Sequence, residues 1–330
     1  MKLASLKSGG RDGVLVVLDR NLKRAINVSG VAPTLQYALE NWPAVSGMLQ
    51  KLSDDLNAGA SDSFEIDISE LASPLPRSFQ FLDGSVYLSH MKKARKARGV
   101  DMPPNYMTEP LMYQGMSDQF IPPVGEMPIP SEDLGIDFEG EVAVITDDVP
   151  MGTSAQEASK HIKLIMLLND YTLRALTKLE LPKQFGFLQA KPTSGFSPVA
   201  VTPDELGSAW DGERVNLSLR SFVNGVCIGQ PHAGHDMYFT YPQLIAHAAR
   251  TRNLSAGTII GAGTIANVDE SVGCSCLAEV RANEEIEHGQ AITPFLKYGD
   301  RIKIEMVAED GINIFGTIDH KIVPLAATSR

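Results

Sequence analysis

Asp137-Phe138-Glu139-Gly140-Glu141-Val142-Ala143-Val144-Ile145 is the stretch that decides how this chain folds. Val142 to Ile145 is an uninterrupted apolar run behind two carboxylates, the pattern of a buried strand. Side chains two apart on a strand point the same way, about 7 Å apart along the chain. Glu139 and Glu141 therefore share one face, beside apolar neighbours. Two like charges held together in a poorly solvated place repel and are costly to bury. A divalent cation relieves both problems, and oxygen ligands select Mg²⁺, Ca²⁺ or Mn²⁺ rather than zinc. A solvated strand face would carry the same pair with no ion. Gly140 weakens the strand and permits close backbone approach.

Outward from this stretch the chain alternates irregularly between strand and helix patterns. Ser154 to Leu168 reads as a helix, with Ser154 as cap and Ile162, Ile165 and Met166 as its apolar stripe. Asp170 follows, four residues before Arg174; on a helical turn the two would form a plain ion pair. Asp83 precedes His90 by seven residues, a juxtaposition that is structural more often than catalytic. Val215 to Phe222 and Val226 to Ile228 flank Asn224-Gly225, a strong hairpin signal. Tyr241 to Ala249 reads as a helix; Thr258 to Ile265, Ser275 to Arg281, Arg301 to Val307 and Ile312 to Ile318 read as strands. Nearer the start, Gly13 to Leu18 is a strand and Thr34 caps a helix beginning at Leu35, which Pro43 interrupts or follows with a second one. The two-proline segment Ala72 to Pro76 marks a linker. The expectation is an α+β, β-rich chain with mixed, largely antiparallel strands: a small α/β N-terminal domain over residues 1–76 and a larger domain over 77–330.

Composition bounds the function. The 330 residues are 43% hydrophobic and 21% charged, enough for a sizeable core, and the net charge of −11 argues against nucleic-acid or membrane partners. The short basic run Lys92, Lys93, Arg95, Lys96, Arg98 is a solvated helix face or, just after His90, an attractor for an anionic substrate. Cys227, Cys274 and Cys276 make neither a disulfide framework nor a C-x-x-C pair. With no signal-peptide pattern and no long apolar run, a cytoplasmic location is expected. His232 and His235 read as loop or interface residues. Gly261-Ala262-Gly263 lacks dinucleotide-loop spacing, and no organic cofactor is expected.

Taken in order, seven pieces resemble the fumarylacetoacetate hydrolase family: Asp83 with His90; Tyr113 in Met112-Tyr113-Gln114-Gly115; Glu139-Gly140-Glu141-Val142-Ala143; Asn169-Asp170-Tyr171-Thr172-Leu173-Arg174; Lys191 after Phe187-Leu188-Gln189-Ala190; Gly263-Thr264-Ile265; and Glu279 after Cys276-Leu277-Ala278. The resemblance runs over residues 78 to 325, and the leading residues are similar to the short first domain of two-domain bacterial members. It implies a mixed β-barrel or roll, a homodimer, and a small diketo acid as substrate. It implies Asp83, Glu139, Glu141 and Asp170 as metal ligands, His90 as general base oriented by Glu279, and Arg174 and Lys191 as cations at the reacting carbonyl. Tyr113 and Thr264, with Arg174 and Lys191, fall at its substrate-binding positions. The implied reaction is hydrolysis of fumarylacetoacetate to fumarate and acetoacetate. Relatives act on acylpyruvates or fumarylpyruvate, decarboxylate oxaloacetate-like acids or isomerise 2-hydroxymuconates. A non-catalytic metal-stabilised scaffold is the reading from a different class. One departure stands out: Thr177 occupies the place of a Gln that helps hold the oxyanion in the fumarylacetoacetase branch.

Overall fold

The computed structural model describes residues 1–59, 62–97 and 99–326. One long sheet organises the chain. It runs from β4 (Phe64–Glu65) through β3 (Arg24–Asn27), β2 (Val14–Leu18) and β1 (Lys2–Leu6) to β13 (Ala200–Val201). It continues through β10 (Ile162–Asn169), β9 (Gly140–Thr146), β16 (Ile259–Gly261) and β5 (Phe81–Gly84) to β6 (Met112–Gly115), and β12 (Gly195–Phe196) pairs with β10 off this path. A second sheet has the order β15 (Val226–Gly229), β14 (Leu219–Val223), β17 (Arg301–Met306), β18 (Ile318–Pro324), β7 (Val124–Ile129), and β11 (Thr172–Leu173) pairs with β8 (Ile136–Asp137). The helices are α1 (Leu35–Glu40), α2 (Trp42–Asn57), α3 (Leu88–Ala97), α4 (Ala155–Ala158), α5 (Arg174–Glu180), α6 (Tyr241–Ala248) and α7 (Leu277–His288). Most pairings are antiparallel, as expected, but the strands close no barrel among the described residues. No described helix is long and apolar enough to cross a membrane.

The centre of the long sheet is buried on both faces. Val142 and Val144 of β9, with Ile165 and Leu167 of β10, join one core with Leu219, Ile304 and Ile318 of the second sheet. Ala143, Ile145, Leu164, Met166 and Leu168 join another, with Leu35, Leu39 and Leu49 of α1 and α2. This corrects the helix expected over Ser154 to Leu168. Only Ala155–Ala158 is α-helical there, and Ile162 to Leu168 is strand. With apolar residues needed on both faces, the period-two signal is lost and the run imitates a buried helix.

Two further readings are corrected. Ser275 to Arg281 is not a strand: Cys276 caps α7, its Sγ accepting from Glu279 N. Ile312 to Ile318 forms no strand until β18 begins at Ile318. Two more are shortened: the strand read over Thr258 to Ile265 is strand only at Ile259–Gly261, and the one read from Val215 begins at Leu219. Thr34 caps α1, Pro43 sits in the first turn of α2, and the hairpin turns at Asn224 and Gly225, both with positive φ.

Candidate active site

Tyr113, Asp83, Gly261 and Ala143 form one row across β6, β5, β16 and β9. Glu141, two residues before Ala143, faces the same side. Gly261 separates the two acids; a Cβ there would come 2.3 Å from Asp83 Oδ1 and 3.2 Å from Glu141 Oε2. The Gly263 N–H donates to both of these oxygens, at 3.2 Å and 3.1 Å. Asp170, just past the end of β10, completes the group. One oxygen from each of Asp83, Glu141 and Asp170 lies within 4.8 Å of the others, and all three residues are buried.

Crowding like charges away from water raises their pKa values. Burial, then the Asp170 charge, pushes Asp83 up to about 8 against the pull of Lys191. Burial, then Asp83, Asp170 and Glu139, holds Glu141 well above the usual carboxylate range. Glu141 Oε1 is buried with no hydrogen-bond partner. Converging oxygen donors, with Asp83 and Glu141 resisting ionisation and Glu141 Oε1 unpartnered, fit a hard divalent cation.

Glu139 sits a step away from this group. It lies between β8 and β9 rather than on β9, so the shared strand face read from the sequence is not how the two glutamates meet. Lys191 Nζ contacts Glu139 Oε2 and, at 2.5 Å, Asp170 Oδ2, while Arg174 Nη2 lies 2.8 Å from Glu139 Oε1. Burial works to raise the Glu139 pKa, but Lys191, Arg174 and His90 overcome it and hold the carboxyl below its usual range. Arg174 starts α5 and pairs with Asp137 and Glu139, not with Asp170, which corrects the helical ion pair. Tyr113 donates its hydroxyl to Asp170 Oδ2 at 2.5 Å, and its ring meets Phe187 edge-on. Thr264 follows Gly263 and is buried.

His90, on α3, places Nδ1 2.9 Å from Glu279 Oε2 in the first turn of α7. Burial opposes ionisation of Glu279; hydrogen bonding and charge from His90, then Lys93, reverse that and lower its pKa. An ionised Glu279 accepts from His90 Nδ1–H, which leaves Nε2 as the basic nitrogen. Lys93, from the basic run, reaches Glu279 Oε1 at 3.2 Å and Glu270 at 3.0 Å; Lys92 is exposed, and Arg98 lies outside the described residues.

Two positioning residues escaped the sequence reading. The buried Asp137 carboxylate accepts from Leu277 N at 2.8 Å and Ala278 N at 2.9 Å, and from Arg174 Nε at 2.9 Å. It therefore caps α7 and ties Glu279's helix to Arg174. Its place two residues before Glu139 was the only signal. Glu180 accepts from Leu188 N, Gln189 N and Ala190 N at 3.0, 2.8 and 3.1 Å, fixing the backbone just ahead of Lys191. No sequence pattern marks it. Thr177 Oγ1 donates to Arg174 O at 2.8 Å, within its own helix. His232 Nδ1 accepts from Gly234 N and His235 N, and its ring stacks on His235 at 3.7 Å, a loop role as expected.

The fumarylacetoacetate (FAA) hydrolase C-terminal family model matches residues 80–323, and the fumarylacetoacetase N-terminal domain 2 model matches residues 1–77. Oxaloacetate tautomerase YisK of Bacillus subtilis is 30% identical over 190 residues, 57% of this chain and 52% of that protein. Fumarylacetoacetase of Arabidopsis thaliana is 24% identical over 264 residues, 67% of this chain and 63% of that protein. The chain thus spans between half and two thirds of the length of these curated relatives. Among solved structures, maleylpyruvate hydrolase from Sphingobium sp. SYK-6 in complex with manganese(II) ion and pyruvate aligns with TM-score 0.65 at 16% identity, over 98% of this chain and 100% of that one. Fumarylacetoacetate hydrolase from psychrophilic Exiguobacterium antarcticum aligns with TM-score 0.63 at 18% identity, over 98% and 99%. At these identities the structural likeness shows the fold. The family matches, which together span nearly the whole sequence, place the chain in the fumarylacetoacetate hydrolase family.

Proposed function

We propose that this chain hydrolyses a carbon–carbon bond in a 1,3-diketo acid, with fumarylacetoacetate, giving fumarate and acetoacetate, as first candidate. The observation that carries this is the His90–Glu279 dyad, with His90 close enough to act on the charge of Glu139, beside Lys191, which joins Glu139 to Asp170 of the buried carboxylate cluster. Asp83, Glu141 and Asp170, with Glu139 as fourth acid, would hold a divalent cation, Mg²⁺, Ca²⁺ or Mn²⁺; the manganese in the Sphingobium hydrolase supports this class. Such a cation, when bound, polarises a ketone and offsets the charge of a departing enolate.

The chain's own residues do the rest. His90 Nε2 takes a proton from water, and Glu279 fixes the tautomer and stabilises the imidazolium. The hydroxide adds to the ketone carbon. The C–C bond then breaks, its electron pair leaves with the acetoacetate carbon, and the imidazolium proton goes to that carbon. Lys191 and Arg174 offset the repulsion between the acids and an anionic substrate. His90→Ala should cut turnover about 10²–10⁴-fold while Mn²⁺ affinity, measured calorimetrically, stays nearly unchanged. A large loss of affinity would contradict the role given to His90. The reading includes a homodimer: Phe185 and Leu188 stand 99% and 82% exposed, apolar surface of the kind an interface covers, and light scattering tests it.

A second reading rests on Thr177. Its hydroxyl is spent on Arg174 O, so it supplies no donor to a tetrahedral oxyanion. Enolate chemistry without that intermediate, as the name of the tautomerase relative implies for that protein, needs no such donor. Fumarylacetoacetate, fumarylpyruvate, acetylpyruvate and oxaloacetate should be assayed with Mg²⁺, Mn²⁺ or Ca²⁺, and the products identified. Two acids from a diketo acid support hydrolysis. CO₂ or a tautomer from oxaloacetate alone supports the second reading. No turnover with any pair supports a metal-stabilised scaffold.

A further inference from the structure

Cys276 is a metal-binding side chain, grouped with the dyad among the described residues, that the hydrolytic scheme leaves unused. Its Sγ, a ring nitrogen of His90 and a carboxylate oxygen of Glu279 lie within 4.8 Å of one another. We propose that Cys276, His90 and Glu279 form a second cation site, for a thiophilic divalent ion of the zinc class, and that filling it switches off the dyad.

The chemistry of the two clusters separates their ions. Asp83, Glu141 and Asp170 offer only oxygen, which suits hard cations. A sulfur, nitrogen and oxygen set with a fourth position left for water matches three-ligand zinc sites. Bound zinc ligands sit about 2.0–2.3 Å from the metal, so their atoms lie roughly 3.5 Å apart. The present atoms lie within 4.8 Å of one another, and His90 Nδ1 and Glu279 Oε2, at 2.9 Å, would part slightly to admit the ion. The thiol proton leaves to solvent as the S–Zn bond forms, and thiolate plus carboxylate then balance the two positive charges. Burial holds the Cys276 thiol well above its usual pKa, so the coordinate bond must supply what solvent cannot. Two cations lie nearby. Lys93 Nζ keeps Glu270 at 3.0 Å if Glu279 turns away, and Arg174 is already paired with Asp137 and Glu139. His90, with a 13% exposed side chain against 2% for Glu279, is the side from which an ion enters. The ion would replace the His90–Glu279 hydrogen bond, removing both the base and its orienting acid.

Only the inhibitory consequence rests on the proposed hydrolase reading; binding does not. The test uses the full chain with exposed Cys227 changed to Ser and the oxygen cluster saturated with Mg²⁺. Cd²⁺ is titrated while the ultraviolet thiolate-to-cadmium charge-transfer band is followed. Cys276→Ser keeps a helix cap and removes the thiolate. The band should appear in the parent and vanish in Cys276→Ser. Zn²⁺ should inhibit Mn²⁺-supported turnover in the parent, and the half-inhibitory concentration should rise at least about tenfold in Cys276→Ser. A band that persists in Cys276→Ser traces to buried Cys274 and overturns the site, as does an unchanged half-inhibitory concentration. If no substrate is turned over, the band alone decides.

Discussion

Gly261 is the residue with least freedom in the candidate site, because a single methyl there collides with a carboxylate oxygen of Asp83. Its backbone is ordinary strand, so the constraint is space rather than φ. Gly261→Ala should lower Mn²⁺ affinity by about 10–100-fold, the range for disturbing a ligand's surroundings, with the fold intact by circular dichroism. Unchanged affinity would mean that Asp83 and Glu141 do not share an ion. His320 gives a prediction away from the site. It is fully buried, Nε2 lies 2.9 Å from Pro122 O, and Nδ1 has no partner. Burial lowers its pKa from 6.5 to about 4. The folded state therefore refuses a proton that the unfolded chain accepts, so the stability present above pH 6.5 drains away as pH falls towards 4. The loss approaches about 3 kcal/mol. Urea unfolding of His320→Gln across that window should lack this component, and identical slopes for both proteins would refute it.

At the scale of elements, the sequence was clearest where one residue type has one use. Asn-Gly in the hairpin, Thr34 before α1 and Pro43 at the start of α2 all sit where their backbone preferences put them. It failed where periodicity is erased. Ile162 to Leu168 serves two cores, and Leu277 to Arg281 belongs to a helix whose buried residues mix Glu279 with Leu277 and Ala282. The carboxylates were legible as acids beside apolar runs, and Asp83, Glu141 and Asp170 do converge. Asp137 and Glu180 were not, because their partners are backbone N–H groups that any residue offers. The consequence for Glu180 can be measured. It closes the loop from α5 to Lys191 with three hydrogen bonds, and removing the carboxylate orphans those donors at about 1–3 kcal/mol each where they are buried. Glu180→Ala should therefore lower kcat more than it raises KM, with partial recovery in Glu180→Gln, whose amide oxygen still accepts. A pure stability loss, with kcat per folded molecule unchanged, would show that the clamp does not position Lys191.

At the scale of the molecule, two family segments share one sheet and contribute to both of its cores. β1 pairs with β13 through Lys2–Val201 and Leu3–Ala200, so the N-terminal strands extend the sheet that carries β9 and β10. Lys2 adds a long-range tie: its buried Nζ donates to Ile314 O at 2.5 Å. The helices α1 and α2 lie on β1, β2 and β3 and share one apolar core with the face formed by Ala143, Ile145, Leu164, Met166 and Ala200. A fragment of residues 77–330 would expose that face and leave β13 as an open edge, an invitation to pair with other chains. Uncovering a Leu, Ile, Val or Met side chain costs about 1.5–3 kcal/mol, so losing this cover approaches the whole net stability of about 5–15 kcal/mol. The full chain should therefore unfold in a single transition by calorimetry and circular dichroism, and the fragment should aggregate or lack cooperative melting. A soluble, cooperatively melting fragment that binds Mn²⁺ as tightly as the full chain would show that the leading residues are an accessory. If they are not, the carboxylate cluster depends on the apolar core that continues from its own face of the sheet. Glu141 is anchored in β9, whose Ala143 and Ile145, on the same face, share their apolar core with Leu35, Leu39 and Leu49 of α1 and α2.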